Sequence, residues 1–336
     1  MAESPRRQKS RKHHFLPQFY LAGFTDSGNK KGKLWVLDKE NLCQWRTTPK
    51  SVAYCKDYYG IDVKDADENA VENALGEFEG QAAGVIRKTV TSEQLPKDED
   101  FILLMNCVAL FWARVPRIRN ITSRFIGEVL KKLNQMMVAS PQMYKGIIDR
   151  MRQDGKELPE GADDYEAMKR FVKSGEYTAD FDQTWHVSKI LEAMDNLIPF
   201  LMKRRWSLLI AQRGEGSFIC SDSPVTLTWT KDVKLPVGPG FAHKHSAVAM
   251  PLNSRITLVG EFDRPSVVMP VPLRYVAYFN SLVAATAERF IYSAAQDFPW
   301  MSRHGTVERT RELLQTLKHN LDPAAEENAD PPDASR

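Results

Sequence analysis

Two adjacent histidines open the stretch His13-His14-Phe15-Leu16-Pro17-Gln18-Phe19-Tyr20-Leu21-Ala22-Gly23-Phe24, the densest run of chemically committed side chains in the sequence. An imidazole titrates near neutrality, so it can bind a metal ion, shuttle a proton or hold a phosphate. Pro17 lacks an N–H and confines Leu16 to extended geometry, which bars a continuous helix through the segment. The pair is therefore expected on a strand or bend ahead of a short helix. Phe15, Leu16, Phe19, Tyr20, Leu21 and Phe24 supply an apolar anchor, and an anchored pair suits a fixed site.

A carboxylate completes the chemistry. Asp222 in Ser221-Asp222-Ser223-Pro224 falls at a strand end, where a turn can aim it into a cleft; the competing reading is that it caps its own turn. Two imidazoles with one or two carboxylates suit a divalent metal. His13, His14 and Asp222 are the candidate ligands, His14 doubling as general base and His13 as orienting group. Glu72 and Glu79, seven apart in a helical pattern, share one side at about 10 Å. Arg114-Val115-Pro116-Arg117-Ile118-Arg119 places three guanidinium groups at a helix bend. Arg114 and Arg117 are candidates for neutralising a substrate anion, with Gln18 a further substrate contact; alternatively Glu72 and Glu79 pair with these arginines in a buried network. His243-Lys244-His245 follows Gly238-Pro239-Gly240 and reads as a surface loop, and His186 beside Trp185 reads as packing.

Two resemblances attach to these residues. His13-His14-x-x-Pro17 resembles the opening of HNH-type nucleases, in which a later Asn leads into a helix that completes a metal site. Asn41-Leu42 can imitate that Asn, but the next histidine after His14 is His186, so the third element is missing. HHFLPQFYLAGF, with SLLIAQRGEGSFICSDSPV, AMPLNSRITLV and NSLVAATAERFIYS downstream, resembles the bacterial family called domain of unknown function 4238. This resemblance runs from about His13 to about Ser293 and implies one domain without supplying an activity.

The elements that would position these groups follow from periodicity. Lys33–Asp38 and Leu42–Arg46 read as a strand hairpin across Lys39-Glu40-Asn41. Helical spacing runs from Ala66 to Thr89 and again from Asp98, with Pro116 as a kink or stop. Helices then follow over Ile121–Val138, Gln142–Arg152, Asp163–Lys173 and Phe181–Lys203, a helical insert at about 121–203. Trp206–Ala211 and Ser217–Cys220 read as a β-hairpin across Arg213-Gly214-Glu215-Gly216. Val225–Trp229, Ala247–Met250 and Arg255–Val259 extend an antiparallel sheet, Pro272–Glu288 a helix, and Arg289–Tyr292 a final strand. The expected fold is α+β, its helical middle packed on a mostly antiparallel sheet of early and late strands. One domain spans 13–300, followed by a C-terminal helix within 301–320.

Composition bounds the function. A hydrophobic fraction of 43% and a charged fraction of 26% are those of a globular chain, and a net charge of +3 does not by itself announce nucleic-acid binding. Residues 1–12 carry Arg6, Arg7, Lys9, Arg11 and Lys12 against Glu3 and read as a disordered basic arm that can contact nucleic acid; residues 321–336 read as a disordered acidic tail. Cys43, Cys55, Cys107 and Cys220 lack metal or disulfide spacing. The basic start lacks the apolar core of a signal peptide, and Phe101–Ala113 is too short to span a bilayer, so the cytoplasm is the expected location and no membrane role is expected. Walker, dinucleotide, nucleophile-elbow and His-Glu-x-x-His signatures do not occur. Two classes fit these residues. One is a metal-assisted hydrolase cutting phosphodiester bonds, with the histidines converging on an open site; the other is a non-catalytic binding or regulatory module with the histidines packed and no cleft beside them.

Overall fold

The computed structural model describes residues 12–56, 58–59, 70–231, 233 and 236–321. Except for Lys12 and Leu321, the basic arm and the acidic tail lie outside the described residues, as does the start of the helix expected from Ala66. Strand β1 (Lys12–His14) leads through an extended Pro17 (φ −63°, ψ 145°) into the short helix α1 (Gln18–Ala22). Gly23 ends α1 where only a glycine fits, because a Cβ there would stand 2.9 Å from the Asn253 Cβ. The expected hairpin is present as β2 (Leu34–Asp38) and β3 (Cys43–Thr47), antiparallel, with Leu42 in the left-handed region at φ 52°. Asp38 Oδ1 accepts the Glu40 and Asn41 N–H groups and thereby organises the turn. A single 3-10 turn, Pro49–Ser51, precedes β4 (Tyr54–Lys56), which pairs antiparallel with β1.

The helical half follows: α2 (Ala70–Ser92), α3 (Asp98–Ala113), α4 (Pro116–Met137), α5 (Pro141–Gln153), α6 (Tyr165–Ser174) and α7 (Gln183–Met202). Helix α3 starts with Asp98, Glu99 and Asp100, whose charges suit the positive end of the helix dipole. It then buries Leu104, Met105, Cys107, Val108, Ala109, Leu110 and Phe111, so it is a central helix covered on most sides. Pro116 does more than stop α3: at the first turn of a helix its missing N–H costs nothing, so α4 begins there, earlier than Ile121. The axes of α3 and α4 bend by 58°, and among the described residues no single helix is long and apolar enough to cross a membrane. Ser140, Asp164 and Asp182 cap α5, α6 and α7 by accepting backbone N–H groups, and α7 runs past Pro199 to Met202.

Two principal sheets follow, built from β5 (Arg205–Ala211), β6 (Cys220–Ser221), β7 (Thr226–Trp229), β8 (Ser246–Pro251), β9 (Ile256–Glu261), β10 (Val268–Val271), α8 (Leu273–Thr286) and β11 (Phe290–Ser293). One sheet has the order β10-β5-β9-β8-β7, antiparallel except for the β10–β5 pair. The other, β3-β2-β11-β6, joins early strands to late ones. The fold is thus α+β with mainly antiparallel sheets, although the five-stranded sheet uses late strands alone. β11 is not the last strand: β12 (Trp300–Met301) pairs with β13 (Val307–Glu308), and that pairing delays the C-terminal helix α9 to Thr310–Leu321.

The hairpin expected across residues 213–216 does not form. β5 stays in the five-stranded sheet and β6 joins β11 in the other. A side chain is the cause: the buried Asn280 on α8 accepts the Ile219 N–H (3.0 Å) and donates to the Ser217 and Pro299 carbonyls (3.0 and 2.8 Å). It supplies the hydrogen bonds a partner strand would have given. Replacing Asn280 with Ala leaves those three groups unsatisfied in the interior, so Asn280→Ala is expected to lower stability by about 3 kcal/mol. A shift in the urea midpoint at unchanged slope will show it.

Candidate functional site

The pairing of β1 with β4 sets His13 opposite Cys55 and His14 opposite Tyr54, and the register continues as Phe15 N–H donates to Ala53 O (2.9 Å). Both histidines border a cleft of about 570 Å³ whose other wall is α2. The sequence spacing predicted that wall: Glu72 and Glu79, two turns apart, both line it, with Leu75 and Gly76 between them. Gly76 offers no side chain, and a Cβ there would meet nothing within 4 Å, so the cleft stays open at its middle. Lys12, Tyr59 and Asn73 complete the polar lining.

The two imidazoles sit in different surroundings. The Tyr59 N–H donates to His13 Nδ1 (2.9 Å), and the Tyr59 ring stacks on the His13 ring at 5.7 Å between centroids. An imidazole whose Nδ1 accepts carries its proton on Nε2, and that atom of His13 stands 3.7 Å from Glu72 Oε2. His14 Nε2 has no hydrogen-bond partner. Burial lowers the His14 pKa below its usual 6.5, outweighing the opposing pull of the Lys50 and Pro49 backbone and of Glu79. His14 is therefore mainly neutral at pH 7, and His13 Nε2 is a donor.

Arg114 lies behind this wall. Its guanidinium is fully buried and pairs with Glu79 through Nη1 (2.8 Å), its charge 5.0 Å from the Phe111 ring centroid. Burial alone would lower its pKa, but Tyr59 and Glu79 outweigh that and raise it. The Arg114 carbonyl accepts the Tyr58 hydroxyl (3.0 Å), which holds the segment bearing Tyr59. Burial pushes the Tyr59 hydroxyl up to about 12, with Arg114 offsetting part of the effect. His13 Nε2 and His14 Nε2 are buried without a hydrogen-bond partner, on residues that line the cleft, whereas the Tyr59 hydroxyl sits against the Arg114 guanidinium behind that lining. Buried polar groups are normally satisfied, so the two imidazoles keep capacity for a ligand.

Other candidates lie elsewhere. Asp222 does not line the cleft. Its two oxygens accept the backbone N–H groups of Glu288, Arg289 and Phe290, each at 2.8 Å, so it caps the start of β11 and not its own turn. Burial raises its pKa, against the pull of those three donors. Arg117 Nη1 donates to the Thr286 carbonyl (3.1 Å), tying α4 to α8. Gln18 is half-buried at the start of α1 and is not part of the cleft lining. His186 is buried with its ring 5.1 Å from Trp185, and His243 packs edge-on at 4.6 Å from Trp229. Among the described residues no three His, Cys, Asp or Glu side chains group as a cation site requires. His13, with its proton on Nε2, is not prepared as a metal ligand. Tyr59 was missed by sequence reasoning, although the Tyr58-Tyr59 doublet was the available signal.

Fold and cleft together define an α+β domain with a polar, partly unsatisfied pocket between an edge strand pair and a helix. The chain belongs to a family of proteins of unknown function, DUF4238, whose model matches residues 12–297. No curated protein and no solved structure matches it.

The geometry separates structural from site carboxylates. Asp222→Ala strands three backbone donors and is expected to cost about 3 kcal/mol in denaturant unfolding. Glu79→Ala leaves a buried guanidinium unpaired and is expected to cost about 3–5 kcal/mol. Of the two, Glu79→Ala alone should alter ligand binding in the cleft, measured by calorimetry.

Proposed function

We propose that the protein is a hydrolase of phosphodiester bonds that works by acid–base chemistry in the cleft between β1 and α2. The observation that carries this reading is the pair of buried Nε2 atoms without hydrogen-bond partners, on neighbouring histidines that line one cleft. His14 Nε2 takes the proton of the attacking water as its oxygen bonds to phosphorus, and returns it to the ester oxygen as the P–O bond breaks. His13 Nε2–H donates a hydrogen bond to a phosphoryl oxygen on which charge builds. The products are a phosphomonoester and an alcohol.

Anion attraction comes from Lys12 at the cleft, the residue to which the arm bearing Arg6, Arg7, Lys9 and Arg11 is joined. The described donors do not make a tight divalent-metal site: His14 Nε2 and Glu72 fall short of the three or four protein ligands such sites use. No step is assigned to a metal. The cleft beside the histidines and their Nε2 atoms without hydrogen-bond partners support this reading over a packed, non-catalytic role.

His14→Gln is expected to lower kcat toward a bis-aryl phosphodiester by about 10²–10⁴-fold with the fold intact, and His13→Phe by about 10²-fold. A general base must be unprotonated, so kcat/KM falls as pH drops through the His14 pKa, which lies below 6.5. Activity should persist in chelator. Wild-type turnover by His14→Gln would sink the assignment.

A further inference from the structure

Beside the polar cleft lies a second pocket of about 260 Å³, formed by α2, α7 and the Leu110 side of α3. Tyr59 and Leu75 line both spaces, so the pockets share an edge. The chemistry changes across it. Beyond Leu75 the lining is Phe78, Leu110, Leu191 and Met194 with their neighbours, and apart from the Tyr59 phenol and the weakly accepting Met194 sulfur no side chain there can donate or accept a hydrogen bond. Leu191 remains more than half exposed at its mouth.

We infer that the ligand of this site is an amphiphilic phosphate ester, its phosphoryl group among His13, His14 and Tyr59 and a hydrocarbon substituent in the pocket between α2 and α7. This assignment rests on the phosphodiesterase reading for its polar half only. Three observations support it. Polar and apolar spaces meet at one pair of residues. The Tyr59 phenol stands on their common edge, buried against the Arg114 guanidinium, which sets a positive charge behind the polar half. The volume exceeds the roughly 150 Å³ of an apolar cavity that accepts a benzene ring, so a chain of several methylenes or a substituted ring fits. A nucleobase finds no partners there for its edge donors and acceptors, and burying them unpaired is unfavourable.

The test is calorimetric titration of the full-length protein with n-alkyl monophosphates from methyl to octyl, beside turnover of p-nitrophenyl alkyl phosphodiesters of the same chain lengths. Affinity is expected to rise roughly fourfold for each buried methylene until the pocket is full. Ala74→Trp, which fills the pocket from an exposed position on α2, and Leu191→Arg, which places a charge at its mouth, should flatten that series. Both should leave methyl phosphate binding unchanged. A flat series in the wild type, a slope surviving in both variants, or a dinucleoside monophosphate competing as well as the octyl ester overturns the inference. The catalytic reading fails separately: a steep binding series without turnover of any ester removes the hydrolase and keeps the amphiphilic site, whereas turnover with a flat series does the reverse.

Discussion

A buried guanidinium organises the candidate site. Arg114 ends the central helix α3 with no solvent exposure, and a charge in that position must be paired or it destabilises the fold. Glu79 is its carboxylate partner, which fixes α2 against α3 and with it the rotation of α2 about its own axis. Glu72, two turns earlier on the same side, is thereby brought to His13. The backbone carbonyl of Arg114 also receives the Tyr58 hydroxyl, so the next residue, Tyr59, can present its N–H to His13. One residue therefore sets the far wall of the cleft and, through Tyr58, the tautomer of an imidazole on the near wall.

Two chemically identical neighbours differ here through their surroundings. His13 accepts the Tyr59 N–H at Nδ1, which keeps its proton on Nε2, whereas burial holds His14 below the usual imidazole pKa. A pair of metal ligands would need a lone pair from both rings, and the contact with Tyr59 denies one to His13 Nε2.

Much of this was legible in the chain. Apolar residues around Pro17 forecast an anchored His pair ahead of a short helix, and the seven-residue spacing of Glu72 and Glu79 forecast a shared face; both follow from local geometry. What was not legible has a common cause. Asn280 stands in for a strand partner to residues 217 and 219, and Asp222 for a turn partner to residues 288–290. Side chains that satisfy distant backbone leave no periodic trace, so periodicity proposed a hairpin where the chain changes sheets. For the same reason Asp222 looked available for chemistry. Arg117 likewise reaches distant backbone, one of its N–H groups donating to a carbonyl of α8.

Satisfaction of hydrogen bonds, more than burial, divides structural from functional polar residues in this fold. Asp222, Asn280 and Arg204 are as buried as His13, yet Asp222 and Asn280 are engaged by backbone partners and Arg204 donates through Nη1 and Nη2 to three carbonyls and a hydroxyl, with Nε left unmet. Each holds an irregular segment. At the cleft the unmet nitrogens are the Nε2 atoms of His13 and His14, neighbours on β1, so one ligand can engage both. Helix α2 borders both that polar space and the apolar one against α7, and its residues divide accordingly: Glu72 and Glu79 line the first, Val71 and Phe78 the second, and Leu75 both. The helical insert then contributes to the site through α7, which closes the apolar side, while the strands supply the imidazoles.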